Sequence, residues 1–101
     1  MCGVVGYTGR KQAATWLLDG LQTLEYRGYD SAGIQVVSPA GMLHGVKCAG
    51  RVADLRERAA AANPDGTCGI GHTRWATHGA PTDRNAHPHL DGTGRIAVVH
   101  N

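Results

Sequence analysis

Cysteine at position 2, directly behind the initiator methionine, carries the most chemistry of any residue in this chain. Removal of Met1, which a small following side chain favours, would leave Cys2 with a thiol and an α-amino group on one residue. Such groups ordinarily titrate at about 8.5 and about 7.7–8.0, so both change state near neutral pH. The amine can take the thiol proton, directly or through one water, and its ammonium form favours the thiolate. Nucleophile and base then come from a single residue. The plainer alternative is a small buried cysteine in a strand.

A second constellation lies in Gly71-His72-Thr73-Arg74-Trp75-Ala76-Thr77-His78-Gly79. Arg74 offers a fork of donors matched to the two oxygens of a carboxylate, and Thr77 can add a further hydrogen bond. Trp75, on the loop that follows, could close over a bound molecule and exclude water. The alternative is a surface arginine beside a half-buried tryptophan. Five of the six histidines (His72, His78, His87, His89 and His100) fall within 29 positions, which raises metal binding. Their spacing fits no common zinc pattern, and Cys68 has no C-x-x-C partner. Hydrogen bonds that order a loop are the expectation, with no metal and no cofactor. Asn101 follows an apolar strand, where a side-chain amide can donate to a developing oxyanion, a contribution of about 2.7–4 kcal/mol.

These residues need a scaffold, and the hydrophobic pattern supplies one. Cys2 to Tyr7 reads as a buried strand. Lys11 to Tyr26 changes to helical period, with Ala14, Leu17, Leu18, Leu21 and Leu24 on one face and Gly28 where a helix C-terminal glycine belongs. Ala32 to Ser38 and Met42 to Cys48 flank Ser-Pro-Ala-Gly, the signature of a type I turn, and predict a hairpin. Val52 to Ala62 predicts a second helix, stopped by Asn63-Pro64-Asp65-Gly66. Thr67 to Thr73 is a glycine-rich strand that another backbone or a ligand could approach closely. Trp75 to Leu90 reads as a long loop, and Arg95 to His100 as a final strand.

Composition narrows the function classes. With 101 residues, 42% hydrophobic and 18% charged, the chain has the balance of one small globular domain. No apolar run approaches the roughly 18 residues of a membrane helix, and the N-terminus has no signal-peptide pattern. The net charge of +2 comes without a basic patch interleaved with aromatics, so nucleic acid is not an expected partner. Three widely spaced cysteines argue against a disulfide framework and for a reducing, cytoplasmic setting.

Four segments in order (Cys2-Gly3-Val4-Val5-Gly6, Leu24-Glu25-Tyr26-Arg27-Gly28-Tyr29-Asp30-Ser31-Ala32-Gly33, Gly71 to Gly79, and Val98-Val99-His100-Asn101) closely resemble the class II glutamine amidotransferases. The Tyr-Arg-Gly-Tyr-Asp-Ser and Thr-Arg-Trp-Ala-Thr-His-Gly forms are most similar to the branch that aminates fructose 6-phosphate. The amidophosphoribosyltransferase branch typically carries His-Arg-Gly-Gln-Glu-Ser instead. The resemblance implies an α+β fold, the N-terminal-nucleophile hydrolase αββα sandwich of two sheets face to face with helices outside. It implies that Cys2 attacks the side-chain amide of glutamine, forms a glutamyl thioester and releases ammonia. Arg74 would hold the substrate carboxylate, with Thr77 and His78 in the same pocket. Trp75 and Gly79 would belong to the covering loop, Arg27 would order the chain around Cys2, and His87 would support the loop from behind. Asn101 would be the side-chain member of the oxyanion hole.

The same resemblance sets out what this stretch leaves aside. The family's oxyanion hole also uses the backbone N–H of a glycine just after the Asn, and an aspartate further on grips the substrate amino group. The sugar-phosphate half that receives ammonia, and through which relatives form homo-oligomers, is likewise outside these residues. The end at Asn101 reads as a cut, leaving residues 1–101 as the front part of a glutaminase domain, incomplete at its C-terminus and with little activity alone. Two alternatives stay open: a family member with another acceptor (a phosphoribosyl donor, aspartate or a 2-oxo acid), and a non-catalytic, metal-binding module using the histidines.

Overall fold

The computed structural model describes residues 1–76 and 79–100; Thr77, His78 and Asn101 lie outside the described residues. The chain runs β1 (Gly3–Thr8), α1 (Ala13–Leu24), a 3-10 turn (Glu25–Arg27), β2 (Ser31–Val37), β3 (Leu43–Ala49), α2 (Val52–Ala62), β4 (Cys68–Arg74), β5 (His89–Leu90) and β6 (Ala97–Val98). The first four strands make one antiparallel sheet in the order β1-β4-β2-β3, and β5 and β6 pair as a short separate ribbon.

Alternation along the strands decides which face meets the helices. Ala32, Ile34 and Val36 of β2 and Cys48 of β3 point to the side of α1 and α2, where they pack with Leu17, Leu18, Leu21, Val52 and Leu55. Leu17, Leu21, Ile34 and Leu55 are completely buried, each stabilising the fold by about 1.5–3 kcal/mol. Gly69 of β4 lets α1 come close. A Cβ there would stand 2.9 Å from the Leu17 Cδ1 and 2.5 Å from the Gln35 carbonyl oxygen. The close approach expected of this glycine-rich strand is thus made by a helix.

Local chemistry sets the ends of the elements. Helix α1 is tied to the start of β4, since the Ala13 N–H donates to the Gly66 carbonyl (2.8 Å) and the Gly66 N–H to Gln12 Oε1 (3.0 Å). At the start of α2 the Val52 N–H donates to Glu25 Oε2 (2.8 Å) and the Arg51 N–H to Asp54 Oδ2 (3.0 Å), placing carboxylates at the positive end of the helix. Asn63 closes α2 in the left-handed region at φ 49°, its N–H on the Ala59 carbonyl. The β2–β3 hairpin turns through Ser38 to Gly41 with the expected bond from the Gly41 N–H to the Ser38 carbonyl (2.8 Å).

Three expectations need correction. Strand β1 is half-exposed, with Val4 outward, because it is an edge strand and only one of its faces meets α1. Helix α1 ends at Leu24 in a 3-10 turn, and Gly28 is extended (φ −176°), so it caps no helix. The long loop contains the two residues of β5, and the last strand is only Ala97–Val98. The architecture is α+β as expected, but among the described residues the second layer of strands is only the β5–β6 ribbon.

Candidate active site

The antiparallel register carries the chain ends of β1 and β4 together. Gly3 pairs with Thr73, which brings Cys2 level with Arg74 and the first residue of the loop. The Cys2 thiol meets the backbone of Trp75. The Trp75 N–H donates to Sγ at 3.4 Å, and the Trp75 carbonyl oxygen stands 3.9 Å from the same sulfur. Arg27 holds the other side of Cys2, its Nε–H donating to the Cys2 carbonyl at 3.2 Å. Met1 itself is 72% exposed.

Arg74 is buried at the end of β4, donating from Nη1 to the Ala80 carbonyl (3.0 Å) and from Nη2 to the Gly79 carbonyl (3.4 Å). The guanidinium thus organises the far end of the loop that begins with Trp75. Gly79 makes that return with φ +76°, a conformation L side chains rarely adopt. The indole of Trp75 is 44% exposed and meets Tyr29 edge-on, with centroids 5.6 Å apart. Asp30, which sequence reasoning gave no role, fastens this segment twice. Its N–H donates to the Arg74 carbonyl (3.1 Å), and its Oδ2 accepts from the Ala76 N–H (2.7 Å). Its place inside the Tyr-Arg-Gly-Tyr-Asp-Ser motif was the only available signal.

His87 lies on the sheet face opposite the helices. His72, Gly33 and Lys47 stand in register across β4, β2 and β3 and form its seat. The bare Gly33 accepts the His87 carbonyl, with which any Cβ would collide. The His72 and His87 rings stack at 4.2 Å and 18°, and His89 follows at 4.3 Å. The Lys47 ammonium collects the carbonyls of Arg84 (3.3 Å), Ala86 (2.9 Å) and Pro88 (3.4 Å). Burial, then neighbouring positive charge, lowers the pKa of His87 to about 4. Burial likewise lowers those of His72, His89 and Lys47. His72 Nε2 stands 2.7 Å from the His100 carbonyl oxygen, which can only accept, so the proton belongs on Nε2. The Nδ1 atoms of His72 and His87 are buried with no hydrogen-bond partner among the described residues.

Cys2, Arg27, Arg74, Trp75 and Gly79 therefore cluster where β1 begins and β4 ends, with His87 seated on the helix-free face of the same sheet. The positions proposed for Thr77, His78 and Asn101 lie outside the described residues. Among the described residues no group of three or more His, Cys, Asp or Glu side chains is arranged to hold a metal ion. Among the described residues no helix is long and apolar enough to cross a membrane.

No family model matches the chain. Glutamine–fructose-6-phosphate aminotransferase (isomerizing) of Thermus thermophilus is 59% identical to it over 101 residues, covering 100% of this chain and 17% of the relative. The protein of the same description from Mycobacterium tuberculosis is 58% identical over 105 residues, covering 100% of this chain and 16% of the relative. The chain thus spans about a sixth of the length of the curated relatives it matches. Among solved structures, glutamine phosphoribosylpyrophosphate amidotransferase from B. subtilis, complexed with ADP and GMP, superposes with a TM-score of 0.75. It is 27% identical, and the match covers 90% of this chain and 19% of that one. A structure described as the allosteric regulatory enzyme of purine biosynthesis gives 0.77 at 29% identity, covering 89% and 19%. Near-60% identity along the whole chain, on a fold shared with a solved glutamine amidotransferase, makes this chain similar throughout to one part of the glutamine–fructose-6-phosphate aminotransferases (isomerizing) and, in fold, to a glutamine amidotransferase domain.

Proposed function

We propose that these residues form the nucleophile end of a glutaminase site that releases ammonia from the side-chain amide of glutamine. After Met1 is removed, the Cys2 sulfur attacks the amide carbon while the freed α-amine accepts the thiol proton. Collapse of the tetrahedral adduct breaks the carbon–nitrogen bond, and that proton leaves with the nitrogen as ammonia. Water then attacks the thioester carbon, releasing glutamate and restoring the thiol. Arg74 holds the substrate carboxylate, with Thr77 and His78 in the same pocket, and Trp75 covers it. Asn101 donates to the oxyanion. In the longer protein the ammonia passes to fructose 6-phosphate in the cytoplasm, in a homo-oligomer whose acceptor half lies beyond these residues.

One observation carries this reading: the thiol that the N-terminus would activate stands 3.4 Å from a backbone donor of the residue next to a buried arginine. A thiol, a backbone N–H and an arginine at one sheet end support the reading, because amide attack needs a nucleophile, a donor and a group that holds the substrate carboxylate. The test is intact mass before and after exposure to a diazo-ketone analogue of glutamine, with Cys2→Ala as control. Loss of Met1 and a single adduct, absent in the control, is the expected result. An adduct that persists in Cys2→Ala refutes the assignment of the nucleophile.

A further inference from the structure

The covering tryptophan is held from outside the loop. Tyr29 presents its ring to the Trp75 indole at 5.6 Å and 74°, and the Arg51 guanidinium lies over the same Tyr29 ring, 4.9 Å from its centroid. Arg51 is itself placed by two contacts. Its Nη1 stands 3.8 Å from Glu25 Oε1, and its N–H donates to Asp54 at the start of α2. The Glu25 side chain is partly buried and anchored by its bond from the Val52 N–H. A contiguous path therefore runs from the N-terminus of α2 through Arg51 and Tyr29 to Trp75, whose backbone N–H is the donor to the Cys2 thiol.

We propose that Arg51 and Tyr29 form a latch that sets the position of the Trp75 ring and, on the glutaminase reading above, how tightly the substrate is held beside Cys2. Both are positioning residues: neither touches the thiol, and both act through Trp75. An edge-on aromatic contact and a cation over a ring are each modest at an exposed site. Among the described residues they are nevertheless contacts that bear on a tryptophan that is nearly half exposed. A planar guanidinium suits the stacking role better than an ammonium would.

The experiment uses a Trp16→Phe background, which leaves Trp75 as the one indole of the chain. Acrylamide quenching of Trp75 reads the latch directly. Labelling of Cys2 by the diazo-ketone analogue, followed against concentration, reads its consequence. Arg51→Ala is expected to increase quenching and to raise the half-saturating analogue concentration about two- to fivefold, the value of one exposed cation–π contact. The limiting labelling rate should change less than about twofold, because the thiol and its backbone donor remain. Arg51→Lys should recover part of the affinity, and Tyr29→Phe, which keeps the ring, should retain it. Unchanged quenching and unchanged half-saturation in Arg51→Ala would overturn the latch. Increased quenching in Arg51→Ala, with labelling of the parent protein that persists in Cys2→Ala, would leave the latch standing and remove the glutaminase reading.

Discussion

The histidine stack predicts a loss of stability in mild acid, with a sign and a window fixed by its surroundings. His87 lies between His72 and His89, and its Nδ1 is buried without a partner among the described residues. Arg74 and Lys47 add positive charge on the same face, and its pKa falls from 6.5 to about 4. In the unfolded chain an imidazole protonates near 6.5. Between those values the unfolded state binds the extra proton, so stability rises with pH across the window and is lost as pH falls through it. The loss begins near pH 6.5 and is complete below about 4. For one isolated site the linkage gives about 2 kcal/mol lost between pH 7 and 5, a ceiling that solvent at the open edge of the ring reduces to about 1 kcal/mol. The depressed carboxyls, Asp83 and Asp91, do not compete here, because theirs lie below the ordinary 3.8. Urea unfolding at pH 7 and pH 5, followed by tryptophan fluorescence, measures the difference. His87→Phe keeps a stacking ring that takes no proton, so its pH 5 loss should be smaller than the parent's by about 1 kcal/mol. An equal loss in both proteins, or a parent that gains stability on acidification, would refute the reasoning.

Two further outcomes follow from the packing. Leu21→Ala, at a completely buried position beneath the sheet, should cost about 2–5 kcal/mol in the same urea experiment, and a cost below about 1 kcal/mol would mean that α1 does not pack as described. Lys47→Met removes the ammonium that gathers the carbonyls of Arg84, Ala86 and Pro88 while keeping much of the stem. Trypsin should then cleave after Arg84 several-fold faster, with little change at Arg95, and an unchanged cleavage pattern would show that Gly33 and His72 seat the segment unaided.

Local features were legible in the sequence, and contacts between distant segments were not. Helix α2 runs over Val52–Ala62 as its apolar spacing predicts, and the Ser-Pro-Ala-Gly turn fixes the β2–β3 hairpin. Both signals lie within a few consecutive residues. The seat of His87 combines a glycine from β2, a lysine from β3 and a histidine from β4, none unusual where it stands. Only the sheet register puts them in one row. Arg51 likewise looks like any exposed helix-flanking arginine until Tyr29 is brought beneath it. The exposure of β1 was hidden for a related reason. Val4 is as apolar as a core strand requires, but edge position is a property of topology. The clustering of Cys2, Arg27 and Trp75 could be anticipated only through the family resemblance, since 25 and 73 positions separate the thiol residue from its two neighbours.

Once these pairings exist, four consecutive residues explain why one short motif accompanies Cys2. Arg27 donates to the Cys2 carbonyl, and Tyr29 meets the Trp75 indole. Asp30 bonds the backbone on both sides of Trp75, through the Arg74 carbonyl and the Ala76 N–H. Gly28 supplies the room: a Cβ there would stand 2.7 Å from the Arg74 carbonyl carbon and 2.9 Å from the Trp75 nitrogen. Those atoms are backbone, so they have no rotamer by which to yield. The nitrogen a side chain at position 28 would displace is the donor that stands 3.4 Å from the Cys2 sulfur. Each residue of the run thus fixes a different part of the same contact. Arg27 places the residue that bears the thiol, Gly28 admits the donor, and Tyr29 and Asp30 keep the donor's segment from moving away. On the proposed reading the chemistry belongs to Cys2, and the contact in which it would operate is set from residues 27 to 30.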